Sequence, residues 1–171
     1  RPHAVTAAGS NTYTSYDANG NLQVGGGRTL SWNADNLITQ VVMGGSTTTF
    51  NYGPDGDRIK KTAGATVAKY PFGDDYEING TKVTKYFNAG FGVIAKKVGT
   101  TKYWLHTDRL GSINATTTSA GAQVLRRSYR SYGELLGQTG THTEKLGYIG
   151  QRTDSETGLT YLHARYYDPV L

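Results

Sequence analysis

Carboxylates, imidazoles and hydroxyls are the side chains able to move protons or attack a bond, and here they are sparsely placed. The one acidic cluster is Asp74, Asp75 and Glu77. General acid–base work needs two carboxylates that converge with their pKa values pushed apart. On an extended strand Asp75 and Glu77 share a face while Asp74 points away, and solvation by a turn accounts for all three. Asp55 and Asp57 flank Gly56 without the ligand pattern of a calcium loop and read as a turn. His106 and Asp108 stand two apart, yet no HExxH or comparable metal spacing accompanies them, so they read as a side-chain-to-backbone hydrogen-bonded turn. His3, His142 and His163 are isolated, and Gly111-Ser112 lacks the flanks of a nucleophile elbow. Cysteine is absent, which excludes a disulfide framework, a thiolate metal site and a thiol nucleophile. The expectation is a protein with no catalytic residue, no metal and no cofactor, and not an enzyme.

The positive charge is equally undirected. A net charge of +5 is mild, and charged residues make up only 18% of the chain. Arg126, Arg127 and Arg130 interleave with Tyr129, a pattern that can track a nucleic-acid backbone. No domain-wide basic stripe supports it, so these arginines read as a solvated strand face and no nucleic-acid partner is expected. No apolar run approaches the roughly 20 residues of a membrane-spanning helix. The first residues lack an apolar signal segment, which excludes an unprocessed secretory precursor and is compatible with the mature product of one; a secreted or cell-surface location is expected. Asn79-Gly80-Thr81 and Asn114-Ala115-Thr116 are glycosylation sequons, meaningful only where a cell modifies them.

What must position these residues is a β architecture. Gly 23, Tyr 13 and a Thr count of 24 in 171 residues favour strands and turns over helices. An aromatic followed by a Gly, Asn or Asp turn recurs at Tyr16, Trp32, Tyr52, Tyr70, Tyr86, Tyr103, Tyr132 and Tyr148. The spacings are 16, 20, 18, 16, 17, 29 and 16 residues. A period near 17 is two short strands and two tight turns, one β-hairpin per unit. Asn79-Gly80 predicts a type I′ turn with both residues at positive φ. Gly20, Gly56, Gly80, Gly111 and Gly158 are expected at positive φ or at close contacts. The repeat aromatics are expected to stack along one surface.

The C-terminal third is more specific. Tyr103-Trp104-Leu105-His106-Thr107-Asp108-Arg109-Leu110-Gly111-Ser112-Ile113 and Glu156-Thr157-Gly158-Leu159, followed by Tyr161-Leu162-His163-Ala164-Arg165-Tyr166-Tyr167-Asp168-Pro169, resemble the Rhs-repeat-associated core. Tyr16-Asp17 with Gly20-Asn21-Leu22, and Trp32-Asn33-Ala34-Asp35-Asn36-Leu37, resemble YD repeats. The chain is thereby similar to the Rhs/YD-repeat family, which includes Rhs polymorphic toxins, shell partners of insecticidal toxin complexes and teneurins. That resemblance implies hairpins wound into a spiralling, strongly curved sheet that walls a hollow β-shell or tube. It implies YD-repeat hairpins over 1–102 and an Rhs-core-like region over 103–171 that continues the same sheet. Two departures stand out. Arg130 occupies an acidic position of the family pattern, and the sequence ends at Asp168-Pro169-Val170-Leu171, before the family's self-cleavage carboxylates.

A hairpin array leaves unpaired N–H and C=O groups at each end, and Val5 to Tyr16 carries no charge to block pairing there. Two arrangements complete such a ladder. One is end-to-end pairing of copies by strand addition, giving a non-enzymatic extracellular filament or tube. The alternative is a wall fragment of a larger shell that encloses a toxin or belongs to an adhesion protein. The first is the main expectation. The partner is then a second copy, or else the remainder of a longer Rhs-type chain, and Val5, Tyr13, Tyr16, Tyr161, Tyr166 and Tyr167 are expected at the contact between copies.

Overall fold

Alternating small, β-branched and aromatic residues between glycine turns leave few options besides short antiparallel strands. The computed structural model describes residues 4–171. Fifteen strands follow one another in sequence order as a single antiparallel meander, from Ala7–Ala8 to Leu135–Thr139. The chain is all-β, as the composition leads one to expect. The sheet shows neither closure nor strong curling, in contrast to the spiral that the resemblance implies.

Two kinds of connection alternate along the meander. At one end of the hairpins the links are two residues long, except at the five-residue turn Thr118–Ala122. Asn79 pairs with Lys82, so the loop is Gly80-Thr81, and only Gly80 has positive φ (58°). The expected type I′ turn at Asn79-Gly80 is thus shifted by one residue. A glycine first in the loop with an ordinary second residue has the sign pattern of type II′. At the other end five-residue turns carry the repeat signature.

Register fixes two faces. Leu30, Val41 and Thr48 lie opposite one another on consecutive strands, as do Leu105, Thr116 and Leu125, and all are buried. The face they share is covered by the chain's own C-terminal segment. After Thr139 the chain leaves the large sheet, makes a short 3-10 turn at Tyr148–Gly150, and forms a separate sheet of Arg152–Asp154, Leu159–Tyr161 and Tyr166–Tyr167. Leu159 packs into a cluster with Leu30, Ile38, Val41 and Phe50, and Leu146 into another with Tyr86, Leu105 and Ile113. The large sheet runs on through residues 102 and 103 in mid-hairpin, where Lys97 pairs with Lys102, but it ends at Thr139, so the last part of the expected 103–171 region does not continue the same sheet.

Candidate functional site

The repeat signature corresponds to a physical device. In each five-residue turn the first residue's N–H donates to the fifth carbonyl, and the fourth N–H donates back to the first carbonyl. Where the first residue is Asp or Asn, its side-chain oxygen accepts two further N–H groups. Asp17 takes those of Asn19 and Asn21 at 2.9 and 2.8 Å, and Asp108 takes those of Leu110 and Ser112, both at 2.9 Å. Closing the turn requires positive φ at the fourth residue, here Gly20 (95°), Asn36 (60°), Gly56 (82°), Gly111 (86°) and Gly133 (87°).

The aromatic just before the turn does a second job. The register slips by a bulge at Tyr16, Trp32, Tyr52 and Tyr129. The bulge aims the ring back toward the residue that follows the preceding turn. Trp32 Nε1–H donates to the Leu22 carbonyl at 2.7 Å, Tyr52 to that of Ile38 at 2.6 Å, and Tyr129 to that of Ile113 at 3.2 Å. Successive hairpins are tied tip to carbonyl. Burial pushes the Tyr52 phenol up to about 12, although its hydrogen bond with Tyr166 opposes the rise, so it stays a donor at neutral pH.

Between the large sheet and the C-terminal segment lies a seam of buried charge. Asp154 is fully buried and meets Arg58 at 2.5 Å and Lys61 at 2.8 Å. Arg152, also fully buried, reaches Glu77 at 2.7 Å and Asp74 at 2.9 Å, and Lys145 completes the group on Glu77. Lys96 lies 2.8 Å from Glu144, and Arg28 lies 2.6 Å from Asp168. Burial by itself raises the Asp154 carboxyl, but Arg58 and Lys61 outweigh it and hold the group below its ordinary value. Burial lowers the Lys96 ammonium, with Glu144 only partly compensating. Arg58 also stacks between rings, its guanidinium carbon 4.4 Å from the Tyr161 centroid and 5.0 Å from that of Tyr70. Chemically, this arrangement fastens the C-terminal segment to one face of the sheet. Beside the seam opens a cavity of about 610 Å³ lined by Glu77, Tyr86, Lys96, Tyr103, His142 and Lys145 among others.

Of the repeat aromatics, Tyr70 and Tyr86 are buried on the covered face, while Tyr16, Trp32, Tyr52, Tyr103 and Tyr148 are half-buried. Tyr103 stacks on His142 at 4.2 Å, and Tyr148 donates to the Ser131 carbonyl at 2.9 Å. Tyr132 is 75% exposed, contrary to the expected stacking. It is a residue within the turn Arg130–Glu134, and Tyr129 is the aromatic at the bulge. Of the turn glycines, Gly80 and Gly158 have φ of 58° and 68°, in the same region as Gly20, Gly56 and Gly111.

The residues expected at a contact between copies are engaged within the chain. Tyr13 and Tyr161 are each 2% exposed. Arg58 N–H donates to the Tyr161 hydroxyl at 2.9 Å, Tyr166 meets the Tyr52 hydroxyl at 3.1 Å, and Tyr167 donates to the Tyr132 carbonyl at 2.7 Å. Tyr16 donates to the carbonyl of Val5 at 2.6 Å, leaving the Val5 side chain 40% exposed. The last strands are not an edge of the large sheet, because they form their own sheet against its covered face. The open edge lies instead at Leu135–Thr139, whose residues are all exposed.

Asp74 and Glu77 are likewise not solvated turn residues but anchors for Arg152, whereas Asp75 is an exposed turn residue. His106 Nε2 lies 3.0 Å from Thr117 Oγ1 on the surface, away from the turn that Asp108 closes. Among the described residues, no group of His, Asp or Glu is arranged to hold a metal ion. Sequence reasoning missed Arg28, Arg58, Lys61, Lys96 and Arg152. Lys61 and Lys96 stand at strand positions whose alternate neighbours are apolar (Ile59 and Ala63, Ile94 and Val98), a signal that Arg58, two before Lys60, and Arg152, two before Asp154, do not give.

With this geometry described, the relatives fall into place. A family model described as Teneurin YD-shell matches residues 76–171, more than half of the chain. The chain belongs to the YD-shell family. The YD-shell fold recurs in the Photorhabdus luminescens Tc holotoxin pore, at TM-score 0.77 and 19% identity, covering 91% of this chain and 9% of that one. It recurs in a TcdB2-TccC3 crystal structure at TM-score 0.76 and 20% identity, with the same coverage of 91% and 9%. Curated relatives include the tRNA3(Ser)-specific nuclease WapA of Bacillus spizizenii and the tRNA nuclease WapA of Bacillus subtilis. Each is 32% identical over 169 residues, 91% of this chain and 7% of the relative. Salivary gland surface protein 1 of Aedes aegypti is 31% identical over 104 residues, 59% of this chain and 3% of that protein.

These relatives correct the expectation that the protein is not an enzyme, since the WapA proteins are named nucleases. They also leave the expectation of no nucleic-acid partner without support. The YD-shell chain spans about 7% of the length of those nucleases. Among the described residues, no helix is long and apolar enough to cross a membrane.

Proposed function

We propose that the chain is a stretch of wall in a hollow β-shell belonging to a longer, secreted or surface-displayed Rhs-type protein. Its parent carries a toxic activity in the manner of the WapA nucleases, and the wall encloses the toxin. The observation that carries this reading is the state of the two sheet edges. Among the described residues, Ala7–Ala8 pairs only with Asn11–Tyr16, and Leu135–Thr139 only with Gln123–Tyr129. Leu135–Thr139 is exposed throughout and carries no charged side chain. A sheet that stops at such edges is a template for more strands, and the relatives supply many times this length of chain. The curvature that closes a shell then accumulates over far more hairpins than these. The seam holds residues 144–168 against the face that looks into the shell.

The test is expression with and without the flanking sequence of the parent gene, followed by hydrogen exchange at the amides of residues 135–139. Protection that appears only with the flanking sequence supports the wall, and equal exchange in both forms removes it. The same uncharged edges also suit strand addition between copies, the filament reading. Electron microscopy of the isolated chain separates the two, because uniform fibres favour the filament.

A further inference from the structure

The face of the large sheet opposite the seam carries an uncompensated row of cations. Lys85, Lys97 and Lys102 are direct cross-strand partners on three consecutive strands, and Tyr76 precedes Lys85 in the same row. Like charges placed directly opposite destabilise a sheet. No acidic residue occurs between Glu77 and Asp108, so these strands contribute no carboxylate of their own. Among the described residues, none of the three lysines takes part in an ion pair, whereas every basic residue of the seam does. The positive row is therefore a property of the face, and neighbouring side chains do not neutralise it.

Large rings flank the row. Phe87 and Trp104 stand two residues beyond Lys85 and Lys102 on the same face, both facing Ala95, and are 47% and 46% exposed. Phe72, 72% exposed, rests edge-on against Tyr76 at 5.5 Å, and Tyr76 in turn lies 5.2 Å under the Lys85 ammonium. Phe72 and Phe87 have no polar tip, so water around them gains nothing that a partner must replace.

From this geometry we propose that the open face centred on Lys85, Lys97 and Lys102 docks on an anionic lipid surface. The ammonium groups sit at headgroup level, and Phe72, Phe87 and Trp104 enter the boundary between headgroups and acyl chains. Charge complementarity selects an anionic partner, and the protruding apolar rings select a lipid one. A single-stranded nucleic acid is the competing occupant. Its bases can stack on exposed rings of a sheet, so the vesicle and poly(U) arms of the test separate it from the lipid. The proposal is independent of the shell reading, since it concerns the face on the other side of the sheet.

The test is cosedimentation of the chain with vesicles of phosphatidylcholine containing phosphatidylserine, against phosphatidylcholine alone, read together with tryptophan emission. The expected result is binding only to the anionic vesicles, weakened by added salt, with a blue shift that disappears in Trp104→Phe. Each basic residue near an anionic surface contributes roughly a five-fold gain in partitioning. Lys85→Glu, Lys97→Glu and Lys102→Glu together should therefore weaken binding by well over tenfold while leaving the circular dichroism spectrum and melting temperature near those of the parent. The proposal is overturned by equal binding to both vesicle types, by no binding to either, or by lysine-dependent binding of poly(U) without any vesicle binding. Sedimentation velocity without lipid adds one more arm, and self-association that the triple variant abolishes also overturns it.

Discussion

Single residues in this repeat have separable duties, which makes their substitutions informative. Tyr52 ties its hairpin to the Ile38 carbonyl and meets Tyr166. Tyr52→Phe keeps the ring and removes the donor, and should lower stability by about 1–2 kcal/mol in denaturant titration. Glycines in the five-residue turns differ among themselves. At Gly56 an added methyl group meets nothing within 4 Å, so Gly56→Ala measures only the strain of φ at 82°, about 1–2 kcal/mol. At Gly133 the same methyl lies 2.4 Å from the Tyr148 ring, so Gly133→Ala must also displace that ring. It should therefore melt at a lower temperature than Gly56→Ala.

At the scale of elements, the seam decides whether the C-terminal sheet stays on the large one. Removing one partner of a buried ion pair leaves the other charge stranded, typically at about 3–5 kcal/mol. Asp154→Asn strands both Arg58 and Lys61, and should shift the urea midpoint accordingly. The pH dependence follows from the same residue. Its carboxyl is held below its ordinary value in the folded protein. Its contribution is therefore complete above the unfolded value of about 3.9 and is lost as pH falls through the lower folded value. Melting temperature should fall steeply on acidification below about pH 4, and the fall should be shallower in Asp154→Asn.

At the scale of the whole molecule, a meander of consecutive strands whose outer strands, among the described residues, are paired on one side only is, on the wall reading, a segment of something larger. Each hairpin buries its surface on its neighbours, so stability should rise as hairpins are added on either side. Chains extended by further hairpins of the flanking parent sequence should unfold at higher denaturant concentration and with a steeper transition, because more surface is exposed on unfolding. An extended chain with an unchanged midpoint and slope would mean that Leu135–Thr139 is a natural boundary of the sheet.

Local chemistry made the hairpins legible in the sequence. Asp17, Asn33 and Asp108 close turns with their own backbone, and glycine or Asn36 supplies positive φ within a few residues, so no distant contact is needed. The misassigned aromatic, Tyr132, shows the limit of such reading, since its neighbour Gly133 marks the turn equally well for Tyr129. The seam was not legible, because Arg28 and Asp168, or Arg58 and Asp154, come together across most of the chain's length. Only the folding-back of the C-terminal segment decided which face of the sheet is covered, which charges are buried, and that the open edge is residues 135–139 and not the last strands. Sequence determines a strand's alternation, but assigning one set of alternate residues to the interior takes a second layer, and that layer arrives from residues 48 to 140 positions away, from the Lys96–Glu144 pair to the Arg28–Asp168 pair.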